Sequence, residues 1–205
     1  TLGADAFIIQ DWGLFFEVKR TMPGIETHIS TQANIHDDRG TLWCREQGAD
    51  RVTLSRELSI DEIAAIHDAA PDVDLEVFSH GAICFCYSGL CLLSSFAMAG
   101  RSANRGMCAQ PCRMQYSLGG RMDDYPMSLK DNCLVDRLRE LEDAGVACLK
   151  IEGRMKRPDY TAIVTKIYSK ALKEHRQPSA EEMETLEKAF SRQGFTQGYF
   201  NGDKK

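Results

Sequence analysis

The chain has 205 residues, 43% of them hydrophobic and 27% charged, with a formal net charge of −5. A chain of this length can bury one sizeable core. Its apolar runs fall far short of the ~18 residues that span a bilayer, which excludes a membrane-spanning helix and predicts no membrane partner. The acidic balance also excludes a polycation that coats nucleic acid non-specifically.

The elements follow one another in strand–helix order. Thr1 stands only a few residues before Ala6-Phe7-Ile8-Ile9, which already reads as a buried strand, so the sequence reads as starting in mid-fold. Phe7–Gln10 leads into a helix over Gly13–Arg20 that Pro23-Gly24 ends. Thr27–Ser30 is the next strand, followed by a helix over Asp37–Gln47 closed by Gly48. Arg51–Leu54 comes next, and its helix starts at a capping box, Ser59 with Glu62, before Pro71 stops it. Leu75–Phe78 is the strand that opens onto a cysteine-rich segment. Beyond that segment lie a turn at Gly119-Gly120, the stretch Pro126–Leu129, a helix through Val135–Asp143 and a strand Cys148–Ile151. A long helix over Asp159–His175 has an apolar stripe (Ile163, Ile167, Ala171) that reads as core. The tail from Ser179 is helical and charged. Trp12 and Trp43 read as core or interface.

Continuous apolar strands alternating with helices predict a parallel sheet covered by helices, either doubly wound or a (β/α)8 barrel. Asp11, Gln32, Arg56-Glu57, His80 and Glu152–Arg154 each fall just past the end of a different predicted strand. Barrel active sites are built at that face, so the pattern favours the barrel. Glu57 beside Arg56 serves either as an acid/base or as a structural ion pair. Gln32 either bonds substrate or caps its strand. His80 either sits beside the thiols and bonds backbone or acts as a base.

Five of the eight cysteines lie between positions 84 and 112. No charged start followed by an apolar stretch and a cleavage site is visible, which predicts a cytoplasmic protein, and there clustered thiols point to metal or redox chemistry before disulfides. Cys84, Cys91, Cys108 and Cys112 follow a C-x6-C-x16-C-x3-C pattern, with glycines and Pro111 between them to turn the backbone back. Four such thiols can surround one tetrahedral metal or one four-iron cubane, and the spacing alone leaves metal, disulfides and inert thiols open. Arg101, Arg105, Arg113, Lys150, Arg154, Lys156 and Arg157 gather positive charge in an acidic chain, and arginine forks suit carboxylates and phosphates. Neither H-E-x-x-H nor G-x-S-x-G is present.

The run from Glu76 to Ser94 resembles the signature of the collagenase-like peptidases, U-class family thirty-two. Ser30-Thr31-Gln32-Ala33-Asn34, Leu54-Ser55-Arg56-Glu57-Leu58, Arg101 to Arg113, Ser128-Leu129-Lys130-Asp131 and Lys150-Ile151-Glu152-Gly153-Arg154-Met155-Lys156 add to the resemblance. It implies a TIM-barrel-like α/β domain of which this chain holds the C-terminal five or so strands, over 1–175, with the cysteine-rich segment at 76–113 and a helical tail at 176–205. It implies an iron–sulfur cluster of the four-iron type on Cys84, Cys91, Cys108 and Cys112, with Cys86 or Cys133 as substitute ligands, Cys44 and Cys148 as buried thiols, and zinc as an occupant after handling in air. The implied activity is oxygen-independent hydroxylation of RNA or a related aromatic ring, with a prephenate-like anion as donor. Peptidase activity is the alternative and a structural zinc module a second one. Catalytic candidates are Glu57, Arg56, His80 and Glu152; substrate-binding candidates are Gln32, Arg105, Arg113, Lys150 and Arg154. Tyr87 is expected to pack against the thiols, and open strand edges to invite a homodimer.

Overall fold

The computed structural model describes residues 3–123 and 125–203; Thr1 lies outside them. Its centre is a mixed sheet whose first four strands run in chain order: β1 (Ala6–Ile9), β2 (Glu26–Ile29), β3 (Arg51–Thr53) and β4 (Asp74–Ala82). These pair in parallel, and β8 (Val146–Ile151) adds a fifth parallel strand against β4. Between them run α1 (Trp12–Thr21), α2 (Asp38–Glu46) and α3 (Ile60–Ala69), as the alternation predicts.

Each of these helices begins at a side chain that satisfies an orphan backbone donor. Asp11 accepts from Leu14 N–H at 2.8 Å and Asp37 from Gly40 N–H at 2.7 Å. The Ser59–Glu62 capping box forms in both directions. A second box, Ser179 with Glu182, starts α7 (Ala180–Ala189). Phe15 and Val18 of α1, Cys44 of α2, and Ile63 and Ile66 of α3 bury against Ile9, Ile29, Val52, Leu54, Leu75 and Val77 of the sheet and its ends. Trp12 packs at the edge of this core and meets Trp43 edge-on at 4.5 Å.

A second core forms around α6 (Pro158–Lys173), where Tyr160, Val164, Ile167, Tyr168 and Ala171 bury against Cys133, Val135 and Leu186. Two strands here were not legible in the sequence. β7 (Asp131–Cys133) pairs antiparallel with the end of β4, and β9 (Phe195–Thr196) pairs with β7. Both are too short and too polar for a period-two pattern to show. The tail therefore returns to the body, and Phe200 is buried in the main core. The helix expected from Val135 starts only at Leu138, as α5 (Leu138–Asp143), because Leu134–Arg137 form a turn. A short α4 (Leu93–Ala97) lies in the cysteine segment. The Gly119-Gly120 turn joins a hairpin, β5 (Tyr116–Leu118) and β6 (Arg121–Asp123), with both glycines at positive φ as a two-residue turn of this kind requires.

β4 is longer than the sequence predicts and continues to Ala82, so His80 lies inside the strand and not past its end. The register of β4 against β8 shifts between Phe78 and His80. Glu76 and Phe78 face Lys150 and Arg56, whereas His80 packs on Tyr160, Tyr168 and Phe195. An irregularity of one residue breaks the alternation of faces that a regular strand would impose.

Just beyond His80, Gly81 has φ +105, and a Cβ there would stand 2.6 Å from the Glu152 carbonyl oxygen. Only glycine lets the end of β8 approach so closely. Gly81→Ala is expected to lower stability by about 1–3 kcal/mol, seen as a lower urea midpoint with the slope of the transition unchanged.

Candidate functional site

The cysteine segment leaves the end of β4 and folds back over the loops that follow β2 and β3. It has almost no core of its own: between residues 84 and 113 only Ser88, Ser94 and Pro111 are buried. Polar contacts hold it instead. Glu57 accepts from the Ser88 backbone N–H at 2.7 Å and from its hydroxyl at 3.1 Å, and Arg56 N–H donates to the same hydroxyl. Next to Ser88, Gly89 (φ +78) lies so close to the Gln32 carbonyl that a Cβ would come within 2.6 Å of it. Gln32 itself sits in a turn of 3-10 helix (Thr31–Ala33) that Ser30 caps. Arg113 closes the far end. Its guanidinium donates to the Ile83 carbonyl, to Ser128 Oγ and to the Leu129 carbonyl.

This folding brings the thiols together. Cys84 feels the charges of Cys91, Cys108 and Cys112, and Cys86 lies against Cys91. All eight cysteines are free. Burial pushes the Cys84 and Cys112 thiols up, while Arg56 beside Cys84 and Arg113 beside Cys112 act the other way. Backbone and hydroxyl donors also reach the sulfurs. Gln110 N–H lies 3.4 Å from Cys108 Sγ and the Ser94 hydroxyl 3.7 Å from it, and Phe85 N–H bonds to Cys112. Cys133 is elsewhere, buried beside Tyr168. Cys148, expected as a buried thiol, is half-buried, and its Sγ donates to Glu76 Oε2 at 3.3 Å. Tyr87 does not pack on the thiols; it is 71% exposed.

Below the segment, Arg56 is held almost out of solvent. Its Cζ lies 3.6 Å over the Phe78 ring, and Nη2 is 3.5 Å from Glu152 Oε2. Nε and Nη1 are buried without a partner. Lys150 is committed to Glu76 at 2.6 Å, a carboxylate that also accepts from Thr53 at 2.8 Å. Burial draws the Glu76 carboxyl upward, but the bond and charge of Lys150 outweigh it and leave it below the usual carboxylate range. Arg105 and Arg154 are exposed, and Arg154 rests against Gly106 of the cysteine segment. Asp11, grouped with these residues by its strand-end position, only caps α1.

The description "Peptidase family U32" matches residues 1–205. The chain belongs to peptidase family U32. It is 43% identical over 176 residues to the 23S rRNA 5-hydroxycytidine C2501 synthase of Escherichia coli (strain K12), covering 83% of this chain and 26% of that protein. It is 33% identical over 253 aligned residues to the tRNA hydroxylation protein P of Haemophilus influenzae, covering 95% of this chain and 55% of the relative. The Collagenase of Porphyromonas gingivalis is 36% identical over 205 residues, covering 88% and 49%. This U32 chain thus spans at most 55% of the length of these relatives.

Sequence reasoning passed over Ser88 and gave Lys156 no role of its own in this U32 site. Ser88 lies inside the signature, but a serine between Tyr87 and Gly89 shows no sign that Glu57 will close on it. Lys156 belonged to the basic run, yet its ammonium lies over the Phe190 ring, and burial, with Arg192 and Arg113 nearby, pushes it down to about 8.

His80, 1% exposed, is neutral because burial lowers its pKa to about 4. Tyr168 Oη donates to the Ser79 carbonyl at 2.8 Å, so at 3.2 Å it accepts from His80 Nδ1–H and leaves Nε2 as an acceptor with no partner. His80 and Arg56 line one cavity of about 30 Å³, room for about two waters. The unfolded chain binds a proton at this residue below its ordinary value near 6.5, and the folded chain does so only near 4. Stability is therefore expected to be full above about pH 6.5 and to fall as pH drops toward 4, by about 3 kcal/mol in all. Denaturant titrations of wild type and His80→Gln from pH 7 to 4 check this, the variant showing the shallower loss.

Proposed function

We propose that this chain is the catalytic part of an iron–sulfur-dependent, oxygen-independent hydroxylase acting on RNA, with a four-iron cluster held by Cys84, Cys91, Cys108 and Cys112. The observation that carries this reading is the gathering of those four thiols on one loop, beside Arg56 and Arg113. Relatives at 43% and 33% identity are named for hydroxylated rRNA and tRNA. Among the described residues, no three His, Cys, Asp or Glu side chains are set closely enough to hold a single metal ion. A cubane takes one iron per thiolate and so spaces its ligands more widely than a single metal ion does.

Such a cluster supplies one-electron transfer when bound. The chain's own residues do the rest. Arg56 and Arg113 offset thiolate charge, and the donors on Cys108 and Cys112 tune the sulfurs as outer-shell hydrogen bonds do. Arg105 and Arg154, exposed beside the loop, offer cations to an anionic donor of the prephenate kind or to RNA phosphates. Glu57 holds the loop through Ser88, and Glu152 orients Arg56. The five parallel strands are read as an arc of a TIM-barrel-like sheet, with the edges at β1 and β8 open to the remaining strands of a longer protein or to a second copy. An RNA substrate places the protein in the cytoplasm. Peptidase chemistry finds less support here, because His28, His36 and His80 bond to Glu26, the Asn34 carbonyl and Tyr168, none of them a nucleophile's thiol or serine hydroxyl.

Full-length protein purified without oxygen is expected to be brown, to carry four irons per chain and to bleach in air. Cys91→Ala and Cys108→Ala should lose most of that iron; full iron in either would overturn the ligand set. Mass spectrometry of rRNA and tRNA from a deletion strain should show one hydroxylated nucleoside missing, and an unchanged nucleoside profile would refute the RNA reading.

A further inference from the structure

The cysteine segment has a property that cluster binding does not explain. From Val77 to Met122 the sequence contains four arginines and no Asp, Glu or Lys, in a chain with 30 acidic residues. The same stretch presents large apolar side chains to solvent. Phe96 is 83% exposed, Tyr87 71%, Leu90 60% and Phe85 47%. Exposed rings on a stretch that carries arginines and no acidic side chain of its own are what an unpaired nucleic-acid strand needs. Bases stack on the rings, and phosphates meet the guanidinium groups.

We infer that the outer surface of the cysteine segment is the RNA-docking surface, with unpaired bases stacked on Phe96 and Tyr87 and the backbone held by Arg101 and Arg105. The inference rests on the proposed RNA substrate and adds to it where the RNA lies. The arginines are placed for the task. Arg101 and Arg105 are both exposed, and Arg101 spends one donor, Nε, on the Met107 carbonyl at 3.0 Å, which fixes the side chain and leaves its other nitrogens outward. Arg154, lying against Gly106, carries the positive surface on from the segment to the loop after β8. The local backbone gives the surface a fixed form: Met107 N–H bonds the Ser102 carbonyl, and the Ser95 hydroxyl bonds the Arg101 carbonyl. A second copy of the chain is a poor occupant, because a twofold contact would bring arginine against arginine with no acid between.

The test uses full-length, anaerobically prepared protein and fluorescein-labelled RNA stem-loops, with binding followed by anisotropy at several salt concentrations. Phe96→Ala and Tyr87→Ala are each expected to weaken binding about tenfold, and Phe96→Tyr to restore most of it. Arg101→Ala should weaken binding to every RNA alike and lower the slope of log affinity against log salt by about one. A blunt duplex with no loop should bind more weakly than the stem-loop. If wild type binds the stem-loops but both alanine variants bind as tightly, RNA docks elsewhere and the inference fails while the RNA reading stands. Melting points that drop in Phe96→Ala and Tyr87→Ala, with RNA affinity intact, would show that these rings pack against another part of the protein and would also overturn it. Wild type binding no RNA at all would remove the reading on which it rests.

Discussion

The contact between the Glu57 carboxylate and Ser88 carries more than its own energy. A half-buried charge-assisted bond of this kind contributes at most about 1.5–3 kcal/mol, which would be minor in a domain with a large core. The cysteine segment has no such core to fall back on. Its rings and aliphatic side chains face outward, so the free energy that folds it must come from polar pins at its base. Glu57 on Ser88 is one, the seating of Gly89 on the Gln32 carbonyl is a second, and Arg113 across Ile83 and Leu129 is a third. The three draw on the loop after β2, the loop after β3 and the residues before β7. The position of the thiols is therefore set by the ends of several sheet elements at once, which is how loop chemistry gains precision from a rigid scaffold.

The cations around the segment divide by what they have already spent. Lys150 is neutralised by Glu76, and Arg113 gives its donors to carbonyls and a hydroxyl. Neither has much left for a substrate. Arg56 is different, because a guanidinium cannot shed its proton to escape burial. With one face on Phe78, one nitrogen at Glu152 and two nitrogens unpartnered, it keeps a surplus of positive charge out of solvent. Leaving charged donors unpaired costs more than about 1–3 kcal/mol, so this arrangement makes sense where negative charge arrives. Besides Glu152, the Cys84 thiol lies within reach of that charge, and Arg56 favours its ionisation.

Much of this was legible beforehand, for identifiable reasons. Caps and periodicity are local, so the helices from Asp11, Asp37 and Ser59 came out within a residue or two of their observed bounds. Parallel pairing followed from strands that are apolar on consecutive positions. The clustering of Cys84, Cys91, Cys108 and Cys112 was legible as spacing and as family signature. What stayed hidden was tertiary. A three-residue strand such as Asp131-Asn132-Cys133 exists because β4 offers it an edge, not because its residues favour extension. His80 joined the strand-end set because the apolar run stops at Phe78, whereas β4 continues to Ala82 and the register shift after Phe78 turns His80 to the α6 side. Cys148 reads as a buried thiol in the sequence, whereas it is half-buried beside Glu76.

The two faces of the parallel sheet differ in a way that bears on where substrate sits. One face carries Val52, Leu75 and Val77 into the helices. The other carries Thr53, Glu76 and Lys150 in one bonded group, with Arg51 and Asp74 paired at 2.9 Å near its lower edge. Parallel sheets are ordinarily covered by hydrophobic layers on both sides. A face laced with ion pairs is suited to meet water or a ligand instead. Arg56 and Glu152 stand at the upper rim of that face, directly under the loop that gathers the thiols. A small anionic molecule entering along the polar face would reach the thiol loop and Arg56 from below, while a large polyanion approaching the outer surface of the loop would come from above. On the proposed reading the loop would stand between two partners of like charge, which fits its holding arginines and no carboxylate of its own.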